Sequence, residues 1–331
     1  MKNFSISNKD LIVFFVVTFG LTILMGFVMG IVYEIHPVGS FPLLQMYYPA
    51  LGVMVALLLN KDLRSKIPIK FFYTYMVFLI ASIVYILVKL FSFHQDPETD
   101  LTFLLFINSL ALIVAYNSDK NESIRAFGLK FKENFKESIP YIFLFIILYM
   151  LCLFVSSLVG RDVGGFISPF TNVETWIRLF LLPIGFILTY PVFLGEEYGW
   201  RYFLQPALQE RMGKRKAVIV LGLIWGIWHL PINLFYYSPQ TSLYSILNQV
   251  IVCTGYSIFF GYVYMKSRNI WIISIIHFLN NNMGAIIYEA TGNDLVFSLE
   301  AILFKLILFS VVYGPFLLAR VYKNVRVDIE G

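Results

Sequence analysis

Ten apolar runs, each near the ~20 residues an α-helix needs to cross a bilayer, recur along the whole chain. They occupy residues 11–32, 41–59, 71–91, 101–116, 139–160, 176–195, 217–235, 245–265, 270–288 and 301–319. In hydrocarbon every backbone N–H and C=O must be satisfied internally, so only helices and closed barrels span, and runs of this length are about twice what a barrel strand needs. The expected fold class is therefore all-α, a polytopic membrane helical bundle of about ten transmembrane helices. The composition agrees. At 59% hydrophobic and 14% charged, the chain carries far fewer charges than the roughly 25% of a soluble domain. That excludes a disordered chain, a collagen-like repeat and a nucleic-acid-binding arm, so the partner is the lipid bilayer and no nucleic acid is expected. Cys152 and Cys253 both lie inside apolar runs, which argues against a disulfide framework or a thiolate metal site.

Basic residues fix an expected orientation, because cytoplasmic connections of a membrane protein collect Lys and Arg. With the N-terminus inside, 21 of the 25 Lys and Arg fall in cytoplasmic segments, one (Arg161) falls outside, and Lys89, Arg178 and Lys305 fall within spans. Acidic residues such as Asp96, Glu98 and Asp100 crowd an outside loop. Both termini are thus expected in the cytoplasm. The first run has no small-residue cleavage site after it and reads as a retained helix. No period of 20 to 50 residues and no separate soluble module is visible. The expected location is a cell membrane, bacterial by the Lys-, Asn- and Ile-rich character of the chain.

Ionisable groups inside a membrane are costly and so mark function, unless they snorkel to the interface. Lys89, Arg178 and Lys305 suit snorkelling, and His36 and His94 belong to outside loops. His229 and His277 instead sit within apolar helices. Three clusters stand out. In Glu196-Glu197-Tyr198-Gly199-Trp200-Arg201, Glu197 and Arg201 are i, i+4 and share a helix face, while Glu196 points about 100° away. One carboxylate is expected to be paired and structural, its neighbour free to take a proton. In Trp225-Gly226-Ile227-Trp228-His229, Trp225 and His229 share a face. In His277-Phe278-Leu279-Asn280-Asn281, His277 and Asn281 do the same. Gly195 with Gly199 and Gly222 with Gly226 are pairs that let helix backbones approach closely. The basic stretch 211–216 marks the cytoplasmic face, and Glu196 reaches a depth comparable to that of His229 only if the sixth helix runs on to Arg211. That helix is therefore expected to be long, with a kink near Pro183 or Pro191.

The order Glu196-Glu197-x-x-x-Arg201, Trp225-x-x-x-His229, His277-x-x-x-Asn281 resembles the CAAX prenyl endopeptidase and bacteriocin-processing (CPBP) family of intramembrane proteases, over roughly residues 176–288. One departure is that the second motif commonly begins with Phe, where this chain has Trp225. The resemblance implies an intramembrane endopeptidase acting on a peptide or membrane-protein substrate. By position, Glu196 is the base that activates water, with His229 assisting, and His277 and Asn281 stabilise the oxyanion. The residue types suit these roles, since a carboxylate and an imidazole take protons while N–H groups donate to an oxyanion. Glu196, His229 and His277 could instead hold zinc with an open position. Residues 139–331 then form the protease-like core and residues 1–138 are helices without a motif.

Two other classes compete. A secondary transporter also places polar residues at mid-membrane, but many are built from internal repeats, and the first half holds no second copy of these clusters. A catalytically silent scaffold or immunity protein of the same family would keep the helices and lose the chemistry. The substrate and the oligomeric state are not readable from the sequence.

Overall fold

The computed structural model describes residues 6–93, 97–288 and 292–323. Lys2, His94, Asp96 and Arg326, on which part of the charge reading rests, lie outside the described residues, as do both chain ends. Within them the chain is helical throughout and has no strand. The spans are α1 (Asn8–Val32), α2 (Ser40–Leu59), α3 (Ile69–Phe93), α4 (Glu98–Ser118), α5 (Phe135–Val159), α6 (Val173–Met212), α7 (Lys214–Trp228) with α8 (Leu230–Tyr237), α9 (Pro239–Ser267), α10 (Ile270–Tyr288) and α11 (Leu299–Leu318). Nine of these are long and apolar enough to cross a membrane among the described residues, and α7 with α8 makes a tenth span broken by 45°. The chain is a multi-pass membrane helical bundle.

Local chemistry sets the helix starts. Ser7 caps α1 through a reciprocal pair with Asp10, whose N–H reaches Ser7 Oγ at 3.1 Å while its carboxylate accepts from Ser7 N at 3.0 Å. Asn172 Oδ1 accepts from Glu174 N at 3.0 Å to open α6. The charged residues within spans are paired or stacked: Lys89 on Asp100 at 3.1 Å, Arg178 on Glu174, and Lys305 over the Phe309 ring.

The sixth helix is long, as the charge boundary requires. It runs 40 residues, about 60 Å at 1.5 Å per residue, twice the hydrocarbon thickness of roughly 30 Å. The α-helix passes through both Pro183 and Pro191, and the ladder leaves α geometry about two turns later, in a π-helical stretch Tyr198–Leu204. Every residue from 190 to 205 is buried, so this half of α6 has no lipid face and forms the centre of the bundle. Gly195 and Gly199 admit α2 against it: a Cβ at Gly195 would lie 2.5 Å from the Met46 carbonyl oxygen, and one at Gly199 would lie 2.9 Å from the Pro49 carbonyl carbon. The pair Gly222 and Gly226 receives α9 in the same way, at Thr254 and Val250.

At the other end of α6, Arg211 Nη2 donates to Ile6 O at 3.0 Å and Asn8 Oδ1 at 2.9 Å, while Arg215 Nε donates to Leu317 O at 2.9 Å. The basic 211–216 segment therefore shares one end of the bundle with the first and last described helices, as the alternation of ten spans demands.

His229 departs from expectation. It does not lie inside a continuous helix but at the break between α7 and α8, with φ −78° and ψ 5°. Pro231 explains the break: it has no N–H to offer, and its ring displaces the carbonyl four residues back.

Candidate active site

The two adjacent carboxylates are held in different ways. Glu197 is fully buried and doubly paired: its Oε2 lies 3.1 Å from Arg201 Nε on the same helix, and its Oε1 lies 2.8 Å from His277 Nδ1 on α10. Arg201 is likewise sealed from solvent, with its guanidinium carbon 4.8 Å from the Trp225 ring and 5.4 Å from the Phe260 ring, and Nη1 donating to Ser257 Oγ at 3.4 Å. Two aromatic faces and one carboxylate surround the guanidinium, whose Nε and Nη2 make no hydrogen bond among the described residues. The expected Glu197–Arg201 pair is present, and His277 joins it as a third member.

Glu196, only 2% exposed, meets indoles instead of charges. Its Oε2 accepts from Trp225 Nε1 at 2.7 Å and from Trp200 Nε1 at 3.3 Å. No described protein group bonds its Oε1. One oxygen is thereby fixed and the other remains free to accept a proton.

Trp225 connects the rest. Its indole holds Glu196, its backbone carbonyl lies 2.8 Å from His229 Nδ1, and its ring sits edge-on to His277 at 5.5 Å between centroids. A carbonyl has no proton to give, so Nδ1 of His229 carries the hydrogen, and in the singly protonated ring Nε2 is bare. His277 Nδ1 likewise donates to Glu197, so an N–H at its Nε2 requires the doubly protonated ring. With His277 as imidazolium, the carboxylates of Glu196 and Glu197 are balanced by Arg201 and His277. Phe193, Trp225 and Phe260 enclose the His277 ring, and Trp228 lies 4.8 Å from the His229 ring.

Glu196, Glu197, Arg201, Trp225, His229 and His277 thus meet in one buried cluster drawn from α6, α7 and α10. Asn281 stands one turn beyond His277 with an exposed side chain. Its Oδ1 accepts from Asn280 Nδ2 at 2.9 Å, and no described group occupies its own N–H donors. Sequence reasoning expected Trp228 to line the site but did not single out Trp200, Phe193, Ser257 or Phe260. Only Trp200 carried a usable signal, its i, i+4 spacing from Glu196.

The zinc arrangement does not fit these residues. Among the described residues no three His, Cys, Asp or Glu side chains gather as a metal would need. Glu196 is turned onto two indoles, and His277 is turned onto Glu197.

Residues 172–283 match the family described as type II CAAX prenyl endopeptidase Rce1-like. A CAAX prenyl protease 2 from Methanococcus maripaludis is 32% identical over 164 residues, which cover 47% of this chain and 58% of that relative. The chain thus spans rather more than half of the curated relative it matches. No solved structure matches it. The match contains all three motifs and bears out the resemblance read from them.

Proposed function

Because residues 172–283 match the type II CAAX prenyl endopeptidase Rce1-like family, we propose that the protein is an intramembrane endopeptidase that uses Glu196 and His229 to activate water. The observation that carries this reading is the double role of Trp225: one residue fixes the carboxylate through its side chain and the imidazole through its backbone. The neighbouring Glu197 is occupied on both oxygens and is unsuited to take a proton from water.

In the reaction, the free oxygen of Glu196 takes a proton as the water oxygen attacks the scissile carbonyl carbon, and the bare Nε2 of His229 orients that water. The carbonyl π electrons move onto its oxygen, which receives a hydrogen bond from His277 Nε2–H; Asn281, exposed and bonded to Asn280, stands outside the buried cluster and takes no part in this step. Collapse of the tetrahedral intermediate breaks the C–N bond, and the proton held by Glu196 passes to the leaving nitrogen. The products are one new carboxylic acid and one new amine, with no metal in any step.

The name of the archaeal relative suggests the substrate class, a chain ending in a prenylated Cys-a-a-X sequence. The lipid on such a substrate would keep it at the membrane in which the site is buried. The test uses the purified protein in liposomes with a farnesylated Cys-a-a-X peptide in H₂¹⁸O. Release of the terminal tripeptide, with one ¹⁸O in the new carboxyl of the farnesylated cysteine, abolished by Glu196→Gln, is the expected result. No cleavage by the wild-type protein, or cleavage that survives Glu196→Gln, overturns the proposal and leaves the scaffold reading in its place.

A further inference from the structure

The helices of residues 1–138 carry no motif, yet they reach the break that carries His229. Gln45, in the second turn of α2 and 5% exposed, donates from Nε2 to the Trp228 carbonyl at 2.9 Å across 183 residues of sequence. That carbonyl belongs to the peptide joining Trp228 to His229, so the bond fixes the plane from which the imidazole departs. From α1, Gly26 lies against Pro231 so closely that a Cβ there would stand 2.6 Å from the proline ring. The Tyr33 ring, just past α1, packs at 5.0 Å on Phe235 of α8.

The far side of the break is held from α9. Asn233 donates from N at 3.0 Å and from Nδ2 at 2.9 Å to the His229 carbonyl, and its Oδ1 accepts from Ser245 Oγ at 2.6 Å. His229 therefore hangs between two clamped carbonyls, one tied to the motif-bearing half and one tied to α2. A helix end broken by proline has lost its regular ladder, and its geometry is set by whichever groups take up the freed positions.

We propose that α1 and α2 brace the α7–α8 break and that Gln45 is a positioning residue for His229. The inference rests on the endopeptidase reading for its kinetic consequence, but not for its structural one. α1 and α2 would then be part of the working site and not an accessory to it.

The test compares wild type with Gln45→Met, which is nearly isosteric and has no N–H to donate, on the farnesylated peptide in liposomes. The expected result is a kcat lowered about tenfold, as loss of one buried hydrogen bond and a small displacement of the base would give, with KM within about twofold. Amide hydrogen exchange supplies a readout free of catalysis: residues 227–233 should exchange faster in Gln45→Met while residues 214–224 stay unchanged. Gly26→Ala presses on Pro231 from α1 without touching Gln45 and should reproduce both effects, which covers the case in which Gln45→Met does not fold. Unchanged exchange across the break overturns the brace whatever the activity, and unchanged kcat with altered exchange overturns the positioning role. A wild-type protein that cleaves nothing overturns the endopeptidase reading alone, since the exchange result still decides the brace.

Discussion

Replacing Trp225 by phenylalanine deletes one link in the cluster and leaves its counterpart in place. The lost contact is the 2.7 Å bond from the indole N–H to Glu196 Oε2. The 2.8 Å contact from the Trp225 carbonyl to His229 Nδ1 is backbone and survives, and a phenyl ring still packs on Arg201 and His277. A hydrogen bond to a charged acceptor contributes about 1.5–3 kcal/mol, or roughly 10- to 150-fold in rate at 1.36 kcal/mol per decade. Trp200 remains on the same oxygen at 3.3 Å, so the lower end applies: kcat should fall about tenfold, with KM little changed because the lost N–H serves Glu196. The assay is steady-state cleavage of the farnesylated peptide in liposomes, with thermal unfolding followed on the same preparation. Trp200→Phe with Trp225→Phe should cost more than either alone, since the carboxylate then loses both donors. A kcat within twofold of wild type in the double variant would refute the argument that indoles fix the base.

The other predictions address the remaining parts. Arg201→Ala leaves Glu197 buried with only His277 beside it and should cost about 3–5 kcal/mol of stability, seen as a lower unfolding temperature and yield in detergent. His229→Ala should lower kcat by a factor on the order of 10²–10⁴ with the fold retained, measured by single-turnover cleavage alongside circular dichroism. Dialysis against a strong chelator should leave the cleavage rate unchanged, with substoichiometric metal by elemental analysis, because Glu196 is turned onto two indoles and Glu197 and His277 are turned onto each other. A Lys214→Cys variant should react with an impermeant maleimide only when the cytoplasmic face is opened, as the bias of 20 basic residues to one across the proposed sides requires, Arg201 lying inside α6.

Much of this arrangement was legible because lipid leaves few options. Helical spans followed from run length alone, and the basic residues at 211–216 showed where α6 must end. The i, i+4 rule found Glu197 with Arg201 and Trp225 with His229, since both contacts lie within one turn. It could not find His277 on Glu197, 80 residues away, and it paired His277 with Asn281, whose side chain instead faces outward beside Asn280. The break at His229 was signalled by Pro231, but a proline within a transmembrane run is common enough to be passed over. Trp200 was hidden by number, one aromatic among 59 in the chain. Gln45 gave no signal at all, because its partner is a backbone carbonyl, which every residue has.

The central claim is that two adjacent carboxylates divide the work, Glu196 for chemistry and Glu197 for structure. The most direct measurement sets cleavage rate and unfolding temperature side by side for Glu196→Gln and Glu197→Gln in one lipid composition. The account predicts that Glu196→Gln unfolds at close to the wild-type temperature and loses cleavage by a factor on the order of 10²–10⁴, while Glu197→Gln unfolds markedly earlier because Arg201 and His277 lose the carboxylate between them. A Glu196→Gln protein that cleaves at the wild-type rate, or one as destabilised as Glu197→Gln, would contradict it.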